Sequence, residues 1–240
     1  MRNHFGERNV FAAFMHLEGK SRYLAAGVSR REAWAWAMFD FANSGYTTVV
    51  ITAIFNAYFV AVVTNNQEWG TFAWTAALAV SYTLIILAGP ALGAYADMHA
   101  AKKRLLLFTA IGCVVFTGML SLVGPGDLWL AVVLIVLSNF FFGCGENLIA
   151  AFLPELAQTR ALGKVSGWGW SLGYIGGLIS LGCSLAYVTW AQEQGMQAAQ
   201  FVPTTMLITA VLFAVSSIPT FIYLKERAAP QKYLAGHSAA

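Results

Sequence analysis

Six stretches of this chain are long enough, and free enough of charge, to cross a lipid bilayer, and that leaves few folds open to it. An α-helix rises 1.5 Å per residue and the hydrocarbon layer is about 30 Å thick, so a span needs about 20 mostly apolar residues. The qualifying stretches are residues 33–63, 71–96, 105–123, 128–153, 165–190 and 201–224. Across all six, the only Asp, Glu, Lys or Arg residues are Asp40 and Glu146. Lipid offers no partner to a backbone N–H or C=O, so runs of this length are expected as helices rather than strands. The expected fold class is therefore an all-α polytopic membrane protein with six transmembrane helices. Composition agrees: 58% of the 240 residues are hydrophobic and 10% are charged, against roughly 25% charged in a soluble domain.

The basic residues orient the spans. With the amino terminus in the cytoplasm, all 14 Lys and Arg fall on the cytoplasmic side. They lie before the first span (Arg2, Arg8, Lys20, Arg22, Arg30, Arg31), between the second and third (Lys102, Lys103, Arg104), between the fourth and fifth (Arg160, Lys164) and after the sixth (Lys225, Arg227, Lys232). The opposite loops hold only the acids Glu68, Asp127 and Glu193. The positive-inside rule then places both termini in the cytoplasm. The net charge of +3 is a topology signal and gives no reason to expect a nucleic-acid partner. Cys113, Cys144 and Cys183 all lie in spans, where small packing residues are the default, and His4, His16, His99 and His237 all lie outside them. No metal site and no cofactor is expected, nor is enzymatic activity, since no metal-ligand cluster, phosphate loop or nucleophile–base pairing is legible.

Three segments follow: a cytoplasmic N-terminal segment (residues 1–29), a six-helix membrane domain (30–224) and a polar cytoplasmic tail (225–240) expected to be flexible. Residues 1–28 lack the apolar core of a signal peptide and are read as a surface segment, with a short helix one possibility. Ser29-Arg30-Arg31-Glu32 fits a capping box, which starts the first helix at Arg30. Trp34 and Trp36 are then expected at the cytoplasmic interface, as belt aromatics. The six spans divide into two triplets: the first and fourth each carry an acid, the second and fifth are glycine-rich, and the third and sixth are plain. A triplet has an odd number of spans, so the second is inverted relative to the first. That is the arrangement of two inverted three-helix repeats inside one half of a major facilitator transporter.

A charge in mid-bilayer costs about 2.5–3.5 kcal/mol on insertion scales, so such groups face a bundle interior or a water-filled cavity. Asp40 lies seven residues past Ala33 and Glu146 eight before Pro154, which puts both roughly 10–12 Å inside the cytoplasmic boundary. Two acids at one depth suggest one polar cavity that binds protons or the cationic group of a solute. Asn43 and Thr47 share the face of Asp40, Asn139 shares that of Glu146, and Asn147 adjoins it; all four are candidate hydrogen-bonding groups. Asn and Thr also serve as glue between helices, so a packing role stays open. Gly169, Gly173 and Gly177 recur every four residues, with Gly176 beside them. Such a face lets two helices approach closely, either as fixed packing or as a surface that slides during gating.

The motifs resemble a known family. Gly93, Asp97, Lys102 and Lys103 look like the loop motif that follows the second helix of major facilitators, with Met98 where a basic residue is usual and Ala100 where Gly is usual. Trp36, Asp40, Ala42, Asn43, Ser44 and Tyr46 are similar to the W-A-x-Y-D-x-A-N-S-x-Y signature of the vacuole-effluxer-like branch, the autophagy-related amino-acid effluxers and their bacterial relatives. Leu153, Pro154, Glu155, Ser166, Gly167, Gly169, Gly173, Gly176 and Gly177 match that branch's next signature. The resemblance covers residues 30–224 but only the N-terminal six helices of the family's usual twelve. It implies secondary transport of small polar solutes such as amino acids, in a bacterial inner membrane. It also implies a cavity completed by a second six-helix half, which Asp97 engages and which a homodimer or a separate chain would supply. The rival expectation is a non-transporting subunit that docks on a larger membrane complex through its glycine face.

Overall fold

The structure, a computed structural model, describes residues 23–227. The expectations for Arg2, His4, Arg8, His16, Lys20, Arg22, Lys232 and His237 lie outside the described residues. Six helices long and apolar enough to cross a membrane account for most of the described chain, so this is an all-α integral membrane protein. They are α1 (Arg30–Val63), α2 (Gly70–His99), α3 (Lys102–Met119, continued by the 3-10 turn Leu120–Leu122), α4 (Leu128–Ala150), α5 (Leu162–Glu193) and α6 (Ala198–Tyr223).

Local chemistry sets several of the boundaries. α1 begins at Arg30 as expected, with the Ser29 hydroxyl accepting from the Glu32 N–H at 3.2 Å. Only half of the capping box forms, because the Glu32 carboxylate turns to Lys225 and Arg227 instead. α4 stops at Ala150, four residues before Pro154, whose ring has no N–H to give and would clash with that carbonyl. A single turn, Leu153–Leu156, follows with the proline in its first positions. α1 is not α-helical throughout: Thr47–Ala53 and Phe59–Val63 widen into π-helical turns. The first coincides with Thr47-Thr48-Val49-Val50-Ile51-Thr52, six consecutive β-branched residues whose stiff side chains crowd an ordinary helical turn.

The packing repeats with inverted symmetry. α1 lies against α5 and α6, α4 lies against α2 and α3, and α3 and α6 face each other. Exchanging α1 with α4, α2 with α5 and α3 with α6 turns each of these pairings into another of the set. The two triplets are thus related as inverted repeats, and α1 and α4 take equivalent places. The core is built on Phe39, Tyr46, Phe55, Phe59, Leu106, Ile135 and Met206. Phe39 packs edge-on against Phe213 and Phe221 of α6. α2 and α5 are the least buried spans, with Phe72, Ile86 and Leu87 exposed on one and Trp170, Tyr174 and Leu178 on the other.

Two expectations about the ends are corrected. Trp36 is buried, not at the interface, and its indole N–H donates to the Ile149 carbonyl at 2.9 Å. It meets the last turn of α4, at a carbonyl that also accepts from the Phe152 N–H at 3.2 Å. The start of the tail is not loose either. The Lys225 N–H donates to Glu32, the Arg227 N–H to Glu155, and Glu226 accepts from the N–H groups of Lys102 and Lys103 at 2.7 and 3.2 Å. α3 has no N-cap side chain of its own, and Glu226 takes that place from the far end of the domain. At the amino end, Leu24 bridges Ala157 in a short antiparallel pairing that straps the segment before α1 to the loop between α4 and α5.

Candidate functional site

Asp40 owes its setting to glycines. Its half-buried carboxyl lies against α5, where its Oδ2 would stand 3.3 Å from a Cβ added at either Gly169 or Gly173. The notch exists because those positions carry no side chain. A Cβ at Gly173 would also come within 2.7 Å of the Ser44 hydroxyl, one at Gly177 within 2.9 Å of the Thr48 hydroxyl, and one at Gly176 would overlap the Phe41 carbonyl oxygen. On α1, Gly45 reciprocates by making room for Ser180. The four glycines of α5 therefore key into α1 along three turns, and this contact fixes the depth and rotation of Asp40.

Glu146 comes to the same level from α4. The Phe39 ring reaches the backbone at Gly145, the Tyr46 ring stacks on Phe142 with centroids 4.7 Å apart, and the Ser138 hydroxyl donates to the Tyr46 oxygen at 3.0 Å. This antiparallel register sets Asp40 at the level of Glu146. Glu146 and Thr47 are exposed, and Phe39 points the opposite way, into α6. The two acids and Thr47 therefore occupy an open face of the α1–α4 pair, turned away from α6.

Asn43 behaves differently from its neighbours. It is 3% exposed, and neither its Oδ1 nor its Nδ2 has a hydrogen-bond partner. A buried polar atom left unpaired costs about 1–3 kcal/mol. It sits one helical turn from both Phe39 and Tyr46, which meet α4, and hence in the α1–α4 seam. The Thr47 hydroxyl donates to the Asn43 backbone carbonyl at 3.1 Å and not to its side chain.

Asn139 is wholly buried rather than on the open face. Its Nδ2 donates to the Ser81 hydroxyl at 3.1 Å, and Ser81 passes the bond to the Val136 carbonyl. It shares the stripe of Glu146, but at its own depth α2 crosses α4 and covers that stripe. Asn147 is exposed and lines a separate cavity of about 230 Å³ between α2, α3 and α4, together with Gly89, Gly93, Asp97, Lys102 and Cys144. Three of the four loop-motif residues are thereby gathered at one place, with Asn147 and apart from Asp40.

The loop motif is wired into a cytoplasmic ion cluster. Lys102 Nζ lies 3.0 Å from Glu155 and 3.3 Å from Asp97, whose side chain is half exposed. Lys103 Nζ donates to the Leu224 carbonyl at 2.6 Å, the end of α6. Arg227 grips Glu32 with both terminal nitrogens, one at 2.8 Å. The hydrogen bonds it donates to the Glu32 carboxylate, with that group's charge, hold the Arg227 guanidinium above its ordinary pKa. The ion pair of Glu32 with Arg227 and the cap from Glu226 had no signature in the sequence, because these partners lie more than a hundred residues apart.

Comparison with known proteins extends the picture. A 201-residue stretch is 28% identical to an uncharacterized MFS-type transporter, YxiO, of Bacillus subtilis, covering 80% of this chain. The chain spans about half (46%) of the length of that relative. The sequence profile described as vacuole effluxer Atg22-like matches residues 58–238, most of the chain. On that match, the chain belongs to the family of vacuole effluxer Atg22-like proteins.

Proposed function

We propose that this chain is one six-helix half of a secondary active transporter for small polar solutes such as amino acids. The observation that carries the reading is the pair of carboxyls, Asp40 and Glu146, held at one level on the open face of equivalent helices. No Lys or Arg lies within the apolar stretch of any span to neutralise them, so the face suits a proton or the cationic end of a solute. A second six-helix unit, a copy of this chain or a separate one, closes the cavity from the other side. The exposed faces of α2 and α5 and the Asp97 cavity are the surfaces it would meet. The protein sits in a bacterial inner membrane with both termini cytoplasmic, in line with the basic residues on one side. The rival reading, a non-transporting subunit docked through the glycines of α5, loses its surface because α1 already fills that face. The test is solute flux in proteoliposomes. Asp40→Asn and Glu146→Gln should each remove most of it, and unchanged flux in both variants would contradict the assignment.

A further inference from the structure

The open face carries an exposed acid, Glu146, and the seam that borders it a buried amide, Asn43, with no hydrogen-bond partner. Glu146 sits on the edge of α4 just past Gly145, while Asn43 sits in the α1–α4 seam about one turn further from the cytoplasm. Helical side chains lean toward the N-terminus of their own helix. α1 and α4 run in opposite directions, so Glu146 leans toward the level of Asn43 and Asn43 toward that of Glu146. Asp40 cannot serve the amide in its place, because its carboxyl is turned into the notch of Gly169 and Gly173. Thr47 is committed to a backbone carbonyl.

We propose that Glu146 and Asn43 form a proton switch: ionised, Glu146 lies in the open face as it does here, and protonated, it turns into the seam and pairs with the Asn43 amide. A carboxylate has only acceptors and can satisfy one of the two orphaned amide atoms. A carboxylic acid satisfies both, its O–H donating to Oδ1 while its carbonyl oxygen accepts from Nδ2. The proton comes from water on the cytoplasmic side, and the same proton returns there when the pair opens. Asp40 on α1 is the ionisable group at the level of Glu146. The groups at the ends of the neighbouring elements, Asp97 of α2, Lys102 of α3 and Glu155 after α4, are paired with one another, and α5 and α6 carry no charge within their apolar stretches. Low pH, which protonates Glu146, therefore favours the inward state. The inference names the regulation of the site proposed above and rests on that reading for its meaning in transport.

Infrared difference spectroscopy of the whole protein in nanodiscs, titrated in pH, reads the switch directly and without flux. The carboxylic acid band that disappears in Glu146→Gln belongs to Glu146. In Asn43→Leu that band should shift to the frequency of a less hydrogen-bonded acid, and its midpoint should fall by about one pH unit, a tenfold weaker hold on the proton. If Asn43→Leu does not fold, Asn43→Ser leaves one hydroxyl in the seam and should move both readouts in the same direction by less. A Glu146 band whose position and midpoint ignore Asn43, or no Glu146 band at any pH, would overturn the switch. Either result leaves the transporter reading to stand or fall on its own flux assay.

Discussion

At the scale of single residues, the fold depends on side chains that are absent as much as on those present. Gly176→Ala places a methyl group onto the Phe41 carbonyl, which is backbone and cannot turn aside. Overpacking of this kind costs about 1–3 kcal/mol, and the loss should appear as a lower midpoint for thermal unfolding in detergent. Gly182→Ala, at a glycine of the same helix with nothing within 4 Å, should not lower that midpoint and should if anything raise it, because alanine favours a helix over glycine. The sequence carried part of this. The four-residue glycine spacing announced a close helix contact, and counting seven and eight residues from the membrane boundary put Asp40 and Glu146 at one depth, where the Phe39–Gly145 and Tyr46–Phe142 contacts place them. It could not tell which way Asn139 faces, because helical phase fixes a stripe on α4 but not which neighbour crosses that stripe. It also misled on Trp36, whose apolar ring suits either an interface or a core. Its burial goes with a hydrogen bond to the last turn of α4, 113 residues away.

Helices were the most legible level, since length and lack of charge decide them, and each helix core fell where the apolar stretches ran. Their irregularities were less so. The wide turn of α1 follows a run of β-branched residues, a signal visible in the sequence but not specific to π-helix. The N-terminal cap of α3 was invisible, because Glu226 comes from beyond α6. Glu226→Ala leaves the first N–H groups of α3 without that acceptor and should cost about 1 kcal/mol. Arg227→Ala should cost more, about 1–3 kcal/mol, because the Glu32 side chain is 4% exposed and loses its cation. Chemical unfolding of the two variants beside the parent protein gives the order. If Glu226→Ala proves the more damaging, the cluster is held by the cap and not by the ion pair. Lys103→Ala, which removes a bond to the end of α6 but no buried charge, should cost least of the three.

For the whole molecule, the fold and the function are separate questions. Inverted repeats place α1 and α4 equivalently, and the acids sit on the open side of that pair, where a second set of helices would face them. On the function proposed above, one such face is half of a cavity and a second six-helix unit stands opposite it. The measurement that bears most directly on it is the native mass of the protein in nanodiscs or mild detergent. The expected result is a complex of two six-helix units, at twice the 25.9 kDa of the chain if it pairs with itself, or larger by a second polytopic chain if it does not. A protein that stays a single six-helix unit at every concentration tried would contradict it.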